Sequence, residues 1–466
     1  MLPIKINGGR ASDLYEFPKT GGAITTIGNL VIVLDRLGSL HVSSPTAELR
    51  RLEFPPLPNN LDAYLAAGYA IDTTRFRAYG IKYLDARNTL VVSHEAFDVD
   101  HQATRMAVSL LEIDRKTLRA IGTWRTIFMG DLESDGPNDA SGGALASDGR
   151  DTIYLSIGVY NIKGTNIAQQ ADSKFGKIFE INLSTGKARM LSMGHRNPQG
   201  LTMTSAGELW STEHGPAGGD ELNLIEAGFN YGWPIVTLGT DYGTYDWSVS
   251  QPVGRHTGFQ SPIFAWVPSI AVSRVIEVTN FNERWNGDLL VGSLKGLSLF
   301  RLRVDGKRVV YSEPIWIGQR IRDIAQLQNG TIALWTDDTQ LLFISSDKAR
   351  LSSNRRLSEA LGETLLGQCM YCHHFGPTNP GDAAPSLSDL FQRRIGSDNF
   401  RYSAEFRSKE GAWIKEGLKE FLSNPGKFVN GTSMPTPKLA TEDIKEIINI
   451  LEDPKGYTEH ASQSNH

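Results

Sequence analysis

A short β-rich run, opened by a turn residue and closed by polar or small residues, recurs six times along this 466-residue chain. No other feature limits its fold so strongly. The copies are Asn29-Leu-Val-Ile-Val33, Asn88-Thr-Leu-Val-Val92, Asp151-Thr-Ile-Tyr-Leu155, Gly207-Glu-Leu-Trp-Ser211, Gly287-Asp-Leu-Leu-Val291 and Gly330-Thr-Ile-Ala-Leu334. Their anchors, Leu30, Leu90, Ile153, Leu209, Leu289 and Ile332, are spaced by 60, 63, 56, 80 and 43 residues. An irregular period of about 60 suits four strands with their loops, the size of one propeller blade. Six copies predict six blades. Further strands with turn punctuation lie between them, such as Lys177-Ile-Phe-Glu-Ile181 and Leu299-Phe-Arg-Leu-Arg303. A β-sandwich pair or a mixed fold whose strands share a turn preference is the competing arrangement.

After Ile344 the texture changes. Residues 345–356 are polar and basic, which fits a linker, and helical patterns follow over Leu357–Leu366, Gly411–Ser423 and Thr441–Leu451. The last opens on Thr441 as N-cap, with Ile444, Ile447, Ile448 and Leu451 at helical spacing. The expectation is a multidomain chain: an all-β six-bladed propeller over 1–344, a linker, and an all-α domain over 357–466 whose last dozen residues form a frayed tail.

Several classes are excluded early. With 47 basic against 52 acidic residues, the net charge of −5 argues against nucleic acid or an anionic membrane as the main partner. No run of about 18 apolar residues is present, so no transmembrane segment is expected. Met1 to Arg10 does not read as a signal peptide. The two cysteines both fall within four positions, which rules out a disulfide framework and points to a local cofactor or redox motif. That motif is Cys369-Met-Tyr-Cys372-His373, the C-x-x-C-H pattern in which two thiols add across heme vinyl groups and the imidazole ligates iron. Taken alone, five residues also allow half a zinc site or a redox pair. Zinc would need two further ligands, and no third cysteine exists, although His374 is adjacent.

Downstream stand Pro385-Ser-Leu387, the amphipathic stretch Trp413 to Leu422, Asn424-Pro425 and Gly431-Thr-Ser-Met434-Pro435. From Leu365 to Leu451 this resembles class I cytochrome c. The resemblance implies heme c attached through Cys369 and Cys372, with His373 and Met434 as the axial ligands of the iron. A thioether in the sixth position raises the reduction potential and directs the iron to electron transfer. His374 is expected to be a neighbour of the ligand. Covalent heme of this type is attached on the outer side of a bacterial energy-transducing membrane. The chain is therefore expected in the periplasm or on the outer membrane face, with its leader absent from this sequence.

The densest motifs lie upstream: Gly194-His-Arg-Asn-Pro-Gln-Gly-Leu201, Glu213-His-Gly-Pro-Ala-Gly-Gly-Asp-Glu-Leu-Asn223 and Gly228-Phe-Asn-Tyr-Gly-Trp-Pro234, with Ser293-Leu-Lys295 and Arg320-Ile-Arg-Asp323 further on. They resemble the soluble PQQ-dependent glucose and aldose sugar dehydrogenases, six-bladed propellers, over roughly Ala23 to Ile344. Pyrroloquinoline quinone (PQQ) carries three carboxylates and an ortho-quinone, so its site needs fixed cations with planar hydrogen-bonding reach. The resemblance implies that Arg196, Asn197, Lys295, Arg320 and Arg322 contact it. It also implies a calcium ion on the quinone edge, held partly by the backbone carbonyls of Gly215 and Pro216. For Tyr231 and Trp233 a structural role is expected.

The family's general base is a histidine in an Asp-His-x-x-Gly-Arg-Leu-like segment. The matching stretch is Asp139-Ala-Ser-Gly-Gly-Ala-Leu145, which puts Ala140 at the base position, and the family's later Gly-Asp is Gly158-Val159. Losing a general base typically costs 10²–10⁴-fold in rate. His94 and His101 are the weak candidates to replace it, with Asp131, Glu133, Asp135 and Asp139 on loops within reach of the same mouth. His195 and His214 belong to the motifs and are expected either to support the residues that contact the cofactor or to be structural.

The leading expectation is thus a quinohemoprotein oxidoreductase. It would oxidise a small-molecule sugar such as an aldose, or another alcohol, and pass electrons through the heme to a cytochrome or oxidase. The alternative is a catalytically inactive propeller serving as a docking or scaffold module for its cytochrome.

Overall fold

Each of the six recurrent runs becomes the second strand of a four-stranded antiparallel sheet. The computed structural model describes residues 4–10 (backbone alone), 21–70, 76–133, 141–159, 166–240, 254–346, 365–366, 369, 372–375, 378, 384–432, 434, 436–437 and 439–454. Two compact units divide the chain, Ile6–Ser345 and Met1–Lys5 with Ser346–His466.

With the sheets numbered as blades 1 to 6, the second strands are Leu30–Leu34, Thr89–Asp98, Thr152–Ile157, Leu209–Glu213, Leu289–Ser293 and Ile332–Thr336. In front of each stands an inner strand: Ala23–Ile27, Ala78–Leu84, Gly142–Ser147, Pro198–Met203, Val272–Glu277 and Ile321–Gln326. The inner strands neighbour one another around a closed ring in which blade 6 meets blade 1. Blade 6 takes its outer strand from Ile4–Arg10, which pairs with Gln340–Ser346, so the start of the chain completes the last sheet.

A second strand is buried on both faces, which is why it carries an apolar run that is legible in the sequence. In blade 1, Ile32 and Leu34 pack with Ile81 and Leu90 of blade 2. Val31 and Val33 pack with Ala333 and Trp335 of blade 6. The period-2 alternation of a strand therefore serves two inter-blade cores at once.

In five blades the pairing of inner and second strand slips near the start of the inner strand: between Ala78 and Gly80, Gly142 and Leu145, Pro198 and Gly200, Val272 and Val275, and Ile321 and Asp323. A bulge adds an unpaired residue and re-aims its side chain. Hydrogen bonds between blades pin these irregular turns. Ser93 Oγ donates to the Gly143 carbonyl at 2.5 Å, Ser156 Oγ to that of Pro198 at 2.9 Å, Thr212 Oγ1 to that of Ser273 at 2.6 Å, and Ser273 Oγ to that of Ile321 at 2.7 Å. Ile24 N–H donates to Asp323 Oδ2 at 2.8 Å, which closes the series from blade 6 to blade 1.

The second unit holds helices Ala404–Ser408, Lys415–Ser423, Pro425–Phe428 and Thr441–Glu452. Leu418, Phe421 and Leu422 pack with Ile444, Ile447, Ile448 and Leu451 in one core. The helix expected from Gly411 begins only at Lys415. Ala412 instead bridges Arg394, and Trp413 N–H donates to the Arg393 carbonyl, so this stretch is held extended. The last helix is capped one residue earlier than expected, at Ala440, whose N–H donates to Asp443 Oδ2 at 2.8 Å. Of the helix expected over Leu357–Leu366, residues 357–364 lie outside the described residues. Among the described residues, no helix is long and apolar enough to cross a membrane.

Candidate active site

Antiparallel pairing brings the start of every inner strand and the end of every second strand to the same end of a blade. Arg196 and Asn197 immediately precede the inner strand of blade 4, and Gly215 and Pro216 follow its second strand. Lys295 follows the second strand of blade 5, Arg320 precedes the inner strand of blade 6, and Arg322 belongs to it. All seven positions therefore gather at one mouth of the propeller. There the bulge residues Tyr79, Gln199, Arg274 and Arg322, with Arg77, line a common cavity.

The cationic residues are held by the frame beneath them. Arg322 makes a two-point contact with Asp337, and Arg320 Nε lies 2.9 Å from the same carboxylate. Two guanidiniums thus share one carboxylate, which leaves local positive charge. Arg77 Nε is buried and donates to no hydrogen-bond acceptor among the described residues. Arg274 Nε approaches Asp323 at 3.6 Å. The guanidinium of Arg196 stands 5.3 Å over the Trp233 ring and donates to the His214 carbonyl at 3.2 Å. Lys295 is exposed.

Two carboxylates quoted in the motifs act as clamps. Glu213 accepts from the Arg196 N–H and lies 3.0 Å from His195 Nδ1, while His195 Nε2 meets Ser192 Oγ at 2.8 Å. His195 is fully buried and stacks on Tyr231, so both ring nitrogens serve the scaffold. Asp220 accepts from Gly215 N–H at 3.1 Å and from Ile270 and Val272 N–H at 3.0 and 3.2 Å. It thereby fastens the loop that presents the Gly215 and Pro216 carbonyls. His214 Nε2 donates to the Val272 carbonyl, and burial keeps this imidazole below its ordinary pKa. Asn197 Oδ1 accepts from Gln199 Nε2 at 2.6 Å and from Gly142 N–H at 3.3 Å, leaving its amide hydrogens for another acceptor.

Neither weak candidate base reaches the cavity. His94 lies within the second strand of blade 2, which runs on to Asp98. It is fully buried, its ring nitrogens meet Ser109 Oγ and the Glu95 carbonyl at 2.9 Å each, and burial pushes its pKa down to about 4. His101 sits exposed at the tip of the following hairpin, paired with Asp98 at 2.8 Å. Asp131 Oδ2 accepts from Lys174 N–H at 2.7 Å. Asp135, Asp139 and Ala140 lie outside the described residues. Val159 is a buried apolar residue whose N–H donates to the Arg196 carbonyl at 2.6 Å.

In the second unit Cys369, Cys372, His373 and Met434 line one cavity of about 440 Å³, walled by apolar side chains such as Leu387, Phe406 and Trp413. His373 Nδ1 donates to the Pro385 carbonyl at 2.8 Å, leaving Nε2 as the ring's lone pair. Burial, with the neighbouring His374, lowers the His373 pKa and favours that neutral, ligating form. The conformation that carries this carbonyl is secured by Arg393, which donates to the Ser386 carbonyl at 2.7 Å and pairs with Asp398 at 3.1 Å.

The Glucose / Sorbosone dehydrogenase family model matches residues 84–343. The aldose sugar dehydrogenase YliI of Escherichia coli is 32% identical over 248 residues, 49% of this chain and 66% of that protein. The chain thus spans just under two thirds of the length of this relative. Cytochrome c-554 of Methylosinus trichosporium is 34% identical over 85 residues, 18% of this chain and 64% of that protein. Among solved structures, the PQQ-bound aldose sugar dehydrogenase of Streptomyces coelicolor shares the fold, with a TM-score of 0.55, 20% identity, and coverage of 74% of this chain and 99% of that one.

Proposed function

The chain belongs to the glucose/sorbosone dehydrogenase family, and from that premise we propose that it is a periplasmic quinohemoprotein that oxidises an aldose or a related alcohol. The observation that carries this reading is the paired cations of one mouth, Arg320 and Arg322 on the single carboxylate of Asp337, with the Nε of Arg77, which has no partner among the described residues, lining the same cavity as Arg322. A trianionic quinone fits that surplus of planar donors. Arg196, Asn197, Lys295, Arg320 and Arg322 would hold it.

Calcium is the third component. The donors for it are the neutral carbonyls of Gly215 and Pro216, and the Pro216 oxygen already accepts from Gly218 N–H at 2.9 Å. Carbonyls have a second lone pair, so these two oxygens would suit a hard cation. When bound, the quinone supplies the two-electron oxidant. The chain's own residues orient it and remove the hydroxyl proton of the substrate.

Heme c in the Cys369–Met434 cavity would accept the electrons singly, with His373 and Met434 as iron ligands. Joining a quinone site and a heme in one polypeptide raises the effective concentration of the electron acceptor. A second reading, a propeller that docks its cytochrome without catalysis, is favoured by Val159 and Ala140 at the positions where the family resemblance places a carboxylate and a histidine.

The test is to add PQQ and calcium to heme-loaded full-length protein and follow heme reduction with glucose, xylose, maltose and 1-propanol. Quinone binding with substrate-dependent reduction is expected. Absence of both would overturn the enzyme reading, and tight quinone binding without turnover of any of the four would favour the docking module.

A further inference from the structure

We propose that Tyr79 and Glu95 together are the proton acceptor of this site, with the Tyr79 hydroxyl at the cavity and the Glu95 carboxylate behind it. This rests on the quinoprotein reading above. It answers a question that reading leaves open, since neither Ala140 nor Val159 can take a proton.

Tyr79 is the bulge residue of blade 2, and its side chain lines the cavity that Arg77, Gln199 and Arg322 also line. Its hydroxyl donates to Glu95 Oε2 at 2.7 Å. Glu95 is fully buried on the second strand of the same blade, where its own N–H donates to the Arg77 carbonyl at 2.9 Å. The Arg77 guanidinium stands 4.9 Å from the Tyr79 ring. One blade therefore sets a cation and a phenol on the cavity wall, with a buried carboxyl hydrogen-bonded to the phenol.

The ring of Tyr79 lies over Gly143 of blade 3, where a β-carbon would overlap it. Gly143 is three residues after Ala140, within the segment matching the family's base. The Tyr79 side chain thus reaches across from blade 2 to the backbone of blade 3 at Gly143.

The groups around Glu95 suit the task. Burial raises its pKa to about 7, against the pull of the Tyr79 and Thr104 hydroxyls and of Arg77. Tyr79 is raised well above its ordinary value by burial and by Glu95, with Glu133 adding and Arg77 and Ser141 opposing. A phenol so raised holds its proton unless it receives another as it gives one up, which is how a relay works.

Held by Arg196, Asn197, Lys295, Arg320 and Arg322, the quinone would supply the two-electron oxidant that takes the hydride from the carbon bearing the hydroxyl. The substrate O–H proton moves to the Tyr79 oxygen while the Tyr79 proton moves to the Glu95 carboxylate. The carbonyl product leaves, and Glu95 returns its proton through Tyr79 to water entering the cavity. Tyr79 ends unchanged, and the substrate has lost one hydride and one proton.

The experiment compares wild type, Tyr79→Phe and Glu95→Gln as full-length heme-loaded protein. Infrared titration without quinone should show a carboxylic C=O band that disappears with a midpoint near pH 7 and is missing in Glu95→Gln. With PQQ and calcium, both variants should bind the quinone as wild type does, measured by absorbance titration. Both should reduce heme about 10²–10⁴-fold more slowly with the best of the four substrates above. The wild-type rate should rise with pH through 7, and Glu95→Gln should lack that limb. Tyr79→Phe that keeps the wild-type rate and limb overturns the proposal, as does Glu95→Gln that keeps the band. Wild type that fails to bind PQQ overturns the quinoprotein reading itself, a result visible before either variant is compared.

Discussion

Arg322 is gripped at two points by Asp337, with Nε 2.7 Å from one carboxylate oxygen and Nη2 3.1 Å from the other. Asp337 is almost wholly buried, and burial alone would raise its pKa; the guanidiniums of Arg322 and Arg320 outweigh that and hold it below the ordinary value. Its contribution to stability is therefore complete above the ordinary value of about 3.9 and fades as pH falls through the lowered native one. Replacing Asp337 by Ala leaves Arg322 without its partner, and breaking a buried pair from one side costs about 3–5 kcal/mol. Denaturant unfolding at pH 7 should show that loss, and the difference between variant and wild type should shrink in strong acid.

Trp233 supports Arg196 from below, at 5.3 Å. A cation over an aromatic face is worth about 0.5–2 kcal/mol. Trp233→Leu should therefore weaken PQQ binding by roughly 2- to 30-fold, measured by absorbance titration, while a change at the distant hairpin residue His101 leaves it unchanged.

Glu213 accepts from the Arg196 backbone and from His195. Glu213→Ala would strand two buried donors at about 1–3 kcal/mol each. The expected result is a propeller destabilised by a few kcal/mol in denaturant unfolding, with PQQ affinity reduced because Arg196 loses its anchor.

These clamps show which parts of the molecule the sequence discloses. Leu30, Leu90, Ile153, Leu209, Leu289 and Ile332 all fall on second strands, because a strand buried on both faces carries an apolar run and is entered by a turn. The ring of blades and the mouth positions of Arg196, Arg320 and Arg322 follow from that repeat. The bulges do not, since a slip of register has no residue signature of its own. Tyr79, Gln199 and Arg274 were missed for this reason, although Tyr79-Gly80 and Gln199-Gly200 share a trace: a polar residue before a glycine at the start of an inner strand. Gly80 and Gly200 are needed there because a β-carbon would meet the Gly143 carbonyl in one case and the Ser273 carbonyl in the other. Asp337 escaped notice because it stands alone after its strand, with no motif around it. His94 lies inside its strand, which runs six residues past Val92 to Asp98.

Gly143 has φ +83 and no room for a β-carbon against Tyr79. Gly143→Ala should therefore push the Tyr79 ring away from its place over blade 3. Overpacking of this kind costs about 1–3 kcal/mol, read as a lower denaturation midpoint. Infrared titration of the same variant should show the Glu95 carboxylic band shifted in midpoint, because Tyr79 no longer donates to it.

Met434 packs against the apolar core of the second unit and lines the same cavity as His373. As the sixth ligand, its thioether would raise the heme potential and exclude exogenous ligands. Met434→Ala should leave covalent heme attached through Cys369 and Cys372 but lower the midpoint potential, measured by redox titration. It should also let carbon monoxide bind the reduced iron, seen as a shift of the Soret band. An unchanged potential with no carbon monoxide binding would mean that another side chain holds the sixth position. Pro385, whose carbonyl fixes the ring of His373, provides the control: a change there acts on the histidine side, shifting the potential without opening the site to carbon monoxide.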